Sequence, residues 1–398
     1  MGKGPSETGI PSSALSDRIS PPFRLIGGDP SFTGTPLKKG AVFRHPFDGE
    51  GGQRLWVDSG RSALAVALAA LRERGSRRAW LPFLCCSSVV EPFLEASFSL
   101  RFYGQSGRTP FWTAPPSELR PTKDDVLLFI HYFGFLNEGM AAFLDGLDEA
   151  RRPFVVEDAV PASLTEGTGR WGDVTLRSFR KFLPVADGAV VASRDAFLAG
   201  TVCLGAPDIR RLRLKGWAAL GRYLCPDEGR RWLALARQGE ERFDGRPRLP
   251  SPLSLKILAR CDLPSVVAAR RRNYERLLEE LERHRILDPL HPIAERLPPH
   301  VVPQGLPLRL FGGSRDEVLR RLRREGIFCP VDWGVNSLAE APAEEDAGVA
   351  RSLLVLPVDQ GLNGQALSFI ADRVGDALRT GGQPPSLSRR RGDRPATR

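Results

Sequence analysis

The sequence predicts an α/β fold, in which a mostly parallel sheet covered by helices is followed by a smaller α+β unit. Three features carry that prediction. Between Val42 and Arg242, short apolar runs of the types AWLPF, VLLFIHYF, FVVED and GAVVAS alternate with helical stretches. The runs are nearly continuous rather than alternating, as suits strands buried on both faces. After GRPRLPSP, which begins at Gly245 and is rich in turn formers, the pattern changes to a long helix, a lone strand and further helices.

The elements follow in order. Residues 1–40 are rich in Pro, Ser and Gly and read as an N-terminal arm, partly flexible. Residues 41–245 form the large domain, and the Arg-, Leu- and Trp-rich stretch from Arg210 to Arg242 within it reads as helical. Residues 246–380 form the small domain, with a helix from Leu263 to His284, a strand from Leu306 to Leu310, a helix from Arg315 to Glu325 and a last helix from Ala366 to Leu378. Residues 381–398 read as a disordered basic tail. No internal repeat is present.

Composition removes several function classes. At 398 residues and 41% hydrophobic content, the chain is long enough for substantial cores, yet no stretch approaches a transmembrane span. The N-terminus MGKGPSETGIPSS lacks the apolar centre of a signal peptide, and the six cysteines are scattered, so a cytoplasmic protein with reduced thiols is expected. Much of the net charge of +10 is local, in the tail SLSRRRGDRPATR and in the helix-like IRRLRLKGW and ARRRNYERLL. No nucleic-acid module accompanies it, so no nucleic-acid partner is expected. The five histidines show no H-x-x-x-H spacing and the adjacent Cys85 and Cys86 no C-x-x-C spacing, so no metal site is expected. A P-loop, a G-x-G-x-x-G after a strand and a G-x-S-x-G are all missing.

The residues that carry chemistry lie where the strands end. The run Phe154 to Val156 ends in Glu157 and Asp158, which delivers a carboxylate at the carboxyl end of a buried strand, the edge where open α/β sheets bind ligands. About twenty residues later Lys181 stands between Phe179 and Phe182, short of an Asp-Gly turn, in apolar company that favours the neutral amine. A carboxylate to keep a ring nitrogen protonated and a lysine to link to an aldehyde are the two grips that pyridoxal 5'-phosphate needs. Each alone has an ordinary reading, as a turn aspartate or a snorkelling lysine. Together, in this order, they point to the cofactor.

A phosphate site fits the same picture. Gly60 permits close backbone approach, and the amides of Arg61, Ser62 and Ala63 open an Ala- and Leu-rich helix, an anion site by geometry and dipole. The ordinary alternative makes Ser59 an N-cap and Ser178 a strand serine. His131 follows the apolar DVLLFI and is expected at the same sheet edge as Asp158, either as a cofactor or substrate contact or as a satisfied core histidine.

Landmark after landmark from about Leu55 to Leu378 resembles the DegT/StrS family of pyridoxal-phosphate-dependent sugar aminotransferases. The segments are DSGRSALAVAL, LPFLCCSSVVEPFLEASFSLRFY, IHYFGF, WGDVTLRSFRKFLPVADGAVV, RRRNYERLLEEL, REGIFCPVDW and LLVLPVDQ. The resemblance implies the pyridoxal-phosphate-dependent transferase fold of type I, with Lys181 and Asp158 catalytic. It implies Gly60, Arg61, Ser62, Cys86, His131 and Ser178 beside them at the cofactor. An amino donor such as glutamate and a keto-sugar acceptor, nucleotide-linked, are the implied small molecules, in polysaccharide or related sugar biosynthesis. A homodimer with shared sites is implied as well; the loop that would supply the partner's residue departs from the family pattern, with Ser251, Ser254 and Arg222 the candidates. Cys86 stands where many members stack an aromatic ring, Pro161 where many have Gln or His, and Gly188-Ala189 replaces a double glycine. Those departures keep open a sugar dehydratase or other chemistry on the same cofactor, and a non-catalytic binding protein of the same fold.

Overall fold

The computed structural model describes residues 26–27, 35–37, 52–105, 110–116, 118–195, 198, 202–224, 229–287, 290–331, 333 and 344–379. The tail at 381–398 and most of the arm at 1–40 lie outside the described residues. Within the arm, β1 (Ile26–Gly27) is one of the described pieces. The large sheet is built from β2 (Gln53–Val57), α1 (Gly60–Glu73), β3 (Arg78–Pro82), α2 (Ser87–Glu95), β4 (Ser99–Tyr103), β5 (Asp125–Ile130), α3 (Glu138–Asp145), β6 (Phe154–Asp158), β7 (Val174–Ser178) and β8 (Ala189–Ser193) in chain order. Its strands lie in the order β2-β8-β7-β6-β5-β3-β4. β8 is antiparallel to both its neighbours, while β7, β6, β5, β3 and β4 run parallel. The predicted mostly parallel sheet is thus observed, and every run named from the sequence is a strand in it.

The two faces of the sheet bury different residues because side chains alternate along each strand. Leu128 and Ile130 of β5 and Val156 of β6 join the core that packs α1 and α2, whereas Leu127 and Phe129 of β5 and Val155 of β6 join a second cluster with Met140 and Leu144 of α3. In α1 the apolar stripe Ala63, Leu64, Ala67, Leu68, Ala70 and Leu71 is buried, and each leucine contributes about 1.5–3 kcal/mol by leaving water. Ser59 caps this helix, its side chain accepting from the Ser62 amide.

After β8 come α4 (Ile209–Leu224) and α5 (Gly229–Glu240), packed as a hairpin, then α6 (Pro252–Leu258) and α7 (Leu263–Arg283). A three-stranded antiparallel sheet, ordered β12-β10-β9, follows: β9 (Leu290–Pro292), β10 (Leu306–Leu310), and β12 (Leu353–Leu356). Between its strands lie α8 (Arg315–Arg324), β11 (Ile327–Phe328) and α9 (Glu344–Ser352), and α10 (Gly364–Arg379) closes the described chain by packing on α7 and α8. β1 pairs in parallel with β11, and Leu37 bridges to Cys261, so the described pieces of the arm run along the C-terminal part. The apolar core continues from the large sheet to this part through Phe133, whose ring meets Trp333 at 4.5 Å, and Phe135, which meets Tyr274 at 6.3 Å.

Candidate active site

The carboxyl ends of β2, β3, β6 and β7 meet at one edge of the sheet, and a cavity opens there. It is lined by Gly60 and Arg61 of α1, Cys86 before α2, Asp158 at the end of β6 and Pro161 beyond it, and Ser178 at the end of β7 with Arg180 and Lys181 beyond it. Glu240, Phe243 and Trp333 complete the wall. Six of the eight residues named from the sequence therefore share one cavity: Gly60, Arg61, Cys86, Asp158, Ser178 and Lys181.

Asp158 ends β6 with only 6% of its surface exposed. Its Oδ1 accepts from the Val160 amide at 2.9 Å. Burial pushes its carboxyl above the usual aspartate range, against the pull of that amide and of the Lys181 charge. A carboxylate raised by desolvation gains most from a cation placed against it. Lys181 closes the short 3-10 turn Phe179–Lys181 that continues β7. Phe179 and Phe182 are fully buried beneath it, and its Nζ lies 6.0 Å from the centre of the Trp333 ring.

The opposite end of the cavity suits an oxyanion. The Ser178 hydroxyl is buried and makes no hydrogen bond among the described residues. An orphaned donor of this kind costs free energy unless a ligand answers it. Gly60 forms the floor, because a Cβ there would stand 3.2 Å from Val160 Cγ2. No acidic residue occupies the first turn of α1, so its positive end is left to an anion. The predicted set of three helix amides is corrected, however. The Ser62 amide donates to Ser59 Oγ at 3.1 Å and the Ala63 amide to the Ser59 carbonyl at 2.9 Å, since Ser59 is a true N-cap. Ser62 Oγ is likewise spent, donating to Asp58 Oδ1 at 2.5 Å, so of the predicted amides that of Arg61 remains, beside the amide of Gly60, the first residue of α1, which the sequence reading had not named.

His131 is also placed differently from the cofactor contact named in the sequence. Register pairs Ile130 with Asp158 and Phe129 with Glu157, which puts His131 on the Glu157 side of the sheet. Its Nδ1 accepts from the Asn137 amide and its Nε2, which therefore carries the proton, donates to Glu157 Oε1, both at 2.9 Å. Fully buried with both nitrogens used, it is a satisfied core histidine and does not line the cavity. Glu157 accepts in addition from the amides of Gly169, Trp171 and Gly172. Burial raises its carboxyl, but the His131 hydrogen bond and the Gly169 and Gly172 amides outweigh burial and hold it below the usual range.

Several residues of the site were not named from the sequence. Arg180 grips Glu240 through two hydrogen bonds of 2.7 and 2.6 Å, and Lys215 adds a third at 2.9 Å. Burial raises the Glu240 carboxyl, but the charges of Arg180 and Lys215 hold it far below its ordinary value. Arg61 Nη1 donates to the Phe243 carbonyl at 2.6 Å. Beneath the α1 cap, buried Arg211 lies 2.7 Å from Asp58 and 3.5 Å from Asp187, cancelling carboxylates that would otherwise repel an anion next door. Cys86 Sγ lies 2.7 Å from Ser88 Oγ, and among the described residues no group of His, Cys, Asp and Glu side chains is arranged to hold a metal ion.

No protein-family model and no curated protein matches the chain. Solved structures do. The aminotransferase TlmJ of Streptoalloteichus hindustanus superposes with a TM-score of 0.59 at 21% identity over 82% of this chain and 86% of its own. The sugar aminotransferase CalS13 of Micromonospora echinospora gives 0.54 at 18% identity, over 81% and 87% of the two chains. A DegT DnrJ EryC1 StrS aminotransferase of Brucella abortus gives 0.53 at 16% identity, over 83% and 86%. The chain therefore has the α/β fold of these aminotransferases, the type I fold of pyridoxal-phosphate-dependent transferases that the sequence resemblance implied.

Proposed function

We propose that the protein is a pyridoxal-phosphate-dependent aminotransferase that moves an amino group from an amino acid to a keto sugar. Glutamate as donor, a nucleotide-linked acceptor and a role in polysaccharide or related sugar biosynthesis extend that proposal by resemblance, as do a homodimer with shared sites and a cytoplasmic location. Among the described residues no helix is long and apolar enough to cross a membrane. The observation that carries the reading is the conjunction, in one cavity, of a buried aspartate, a lysine and an unanswered serine hydroxyl.

The residues fit the group. When bound, pyridoxal phosphate supplies an aldehyde that accepts and returns an amino group, and a ring that takes up the electron pair left at the substrate carbon. Asp158 would hold a proton on the ring nitrogen, an ion pair that its buried carboxylate favours. Ser178 Oγ and the Gly60 and Arg61 amides would hold the phosphate oxygens. Lys181 Nζ would take the proton from the substrate carbon and return it on the other side of the transfer. Trp333 and Phe243 wall the cavity and limit water.

The test is the visible spectrum of the purified protein with pyridoxal phosphate before and after borohydride, with the reduced adduct located by peptide mass. An absorption band and an adduct on Lys181 are expected, followed by amine transfer from glutamate to a keto sugar. A folded protein with neither band nor adduct overturns the reading, and a dehydrated sugar formed without net amine transfer overturns the reaction but not the cofactor.

A further inference from the structure

Arg180 and Glu240 are the charged pair of the cavity that the proposed chemistry leaves unused, and their arrangement is lopsided. The cations are the less exposed partners: the side chains of Lys215 and Arg180 are 6% and 23% exposed, whereas that of Glu240 is 42% exposed. Glu240 is also the last residue of α5, where the helix end carries partial negative charge and disfavours a carboxylate. Among the described residues, its carboxylate is held by these two cations. Arg180 has a second support. Its guanidinium lies 4.6 Å from the centre of the Phe243 ring, which keeps it stacked at the cavity wall whatever faces its outer edge. Both residues line the same cavity as the unanswered Ser178 hydroxyl, and Arg180 directly precedes Lys181.

We propose that Arg180 is an exchangeable oxyanion anchor, and that Glu240 is the resident carboxylate that occupies it until an oxyanion of the ligand takes its place. The exchange swaps one bidentate oxyanion for another on the same guanidinium fork, so the half-buried cation is never left bare. The cofactor's phosphate and a carboxylate of the amino donor share the required chemistry. The proposal rests on the aminotransferase reading only for that choice of ligands; the exchange itself is a property of the cavity.

Calorimetric titration of the cofactor-free protein with inorganic phosphate, pyridoxal phosphate, pyridoxal and glutarate tests it. Glu240→Gln is expected to tighten oxyanion binding by about three- to tenfold, because the competitor has lost its charge. Arg180→Met is expected to weaken it by about ten- to a hundredfold, and Arg180→Met with Glu240→Gln to bind no better than Arg180→Met alone. Effects on phosphate and pyridoxal phosphate, with pyridoxal and glutarate unmoved, assign the cofactor's phosphate; effects on glutarate assign a donor carboxylate. Thermal melts check folding, and if Arg180→Met does not fold, Arg180→Lys, which keeps the charge and loses the fork, is expected to weaken binding several-fold. A folded Glu240→Gln protein that binds every oxyanion as the parent does overturns the proposal and leaves a purely structural ion pair. Borohydride trapping of pyridoxal on Lys181 reports separately on the cofactor reading, so failure of one is not failure of the other.

Discussion

Two carboxylates stand side by side at the end of β6 and face opposite sides of the sheet. Glu157 turns toward the α3 side, where His131 and three loop amides surround it and hold its carboxyl low. Asp158 turns toward the α1 side, takes one amide on Oδ1 and is pushed up by burial. The Glu157 carboxylate is satisfied from within the chain; on the α1 side the Ser178 hydroxyl is unanswered among the described residues, a strand away from Asp158. We therefore assign Glu157 to stability and Asp158 to the proposed ligand.

Substitutions should separate the two faces. Lys181→Ala and Asp158→Asn should each cut amine transfer by about a thousandfold or more while moving stability by no more than about 1 kcal/mol, as read by turnover and by denaturant unfolding. Stability loss as large as the activity loss would place Asp158 with Glu157. The mirror experiment is Glu157→Gln, which leaves His131 Nε2 and three amides facing an uncharged acceptor. It should cost about 3 kcal/mol of stability and leave the pyridoxal phosphate dissociation constant within a few-fold of the parent. A Glu157→Gln protein of parental stability that no longer binds the cofactor would erase the distinction.

Much of this edge could be read from the chain. FVVED is a continuous apolar strand, so its end and Asp158 had to lie at a sheet edge, whereas Lys181 rests on its apolar neighbours Phe179 and Phe182 and Ser178 on the family resemblance. The long helix expected from Leu263 to His284 runs from Leu263 to Arg283, with His284 as its cap, because its apolar stripe and its cap are both local. His131 was ambiguous for want of register: the same strand end serves both faces, and only the pairing of Phe129 with Glu157 assigns it to the α3 side. The amides that meet Glu157 come from a loop, and Arg180 meets Glu240 across 60 residues, neither of which leaves a periodic trace in sequence. Ser59 carried the signature of an N-cap, and that ordinary role removed two of the three amides expected for an anion.

Ser178→Ala sharpens the comparison by a smaller amount. Because the hydroxyl bonds to nothing among the described residues, its removal should leave stability within about 0.5 kcal/mol of the parent, or raise it, since no partner is orphaned. Pyridoxal phosphate should bind about tenfold more weakly, and pyridoxal, which lacks the phosphate, unchanged. A stability loss of about 1–2 kcal/mol with unaltered cofactor binding would return Ser178 to the role of a strand serine.

The smallest effect is the pH response of the cofactor-free protein, and its sign differs between the two faces. Asp158 has a folded pKa raised above the ordinary aspartate value of 3.8, so between that value and the folded one the folded state binds more protons than the unfolded, and stability falls as pH rises through the window. Glu157 has a folded pKa below 4.5; its contribution is present above that value and is lost as pH falls through the folded one. Unfolding free energies measured across acidic pH should therefore lose the first slope in Asp158→Asn and keep the second. Bound pyridoxal phosphate should remove the first slope as well, because a pyridinium against Asp158 keeps its carboxylate charged and takes away the reason for its raised pKa. An Asp158→Asn protein with the parental slope on that side, or a slope indifferent to the cofactor, would mean that Asp158 does not face the ring nitrogen.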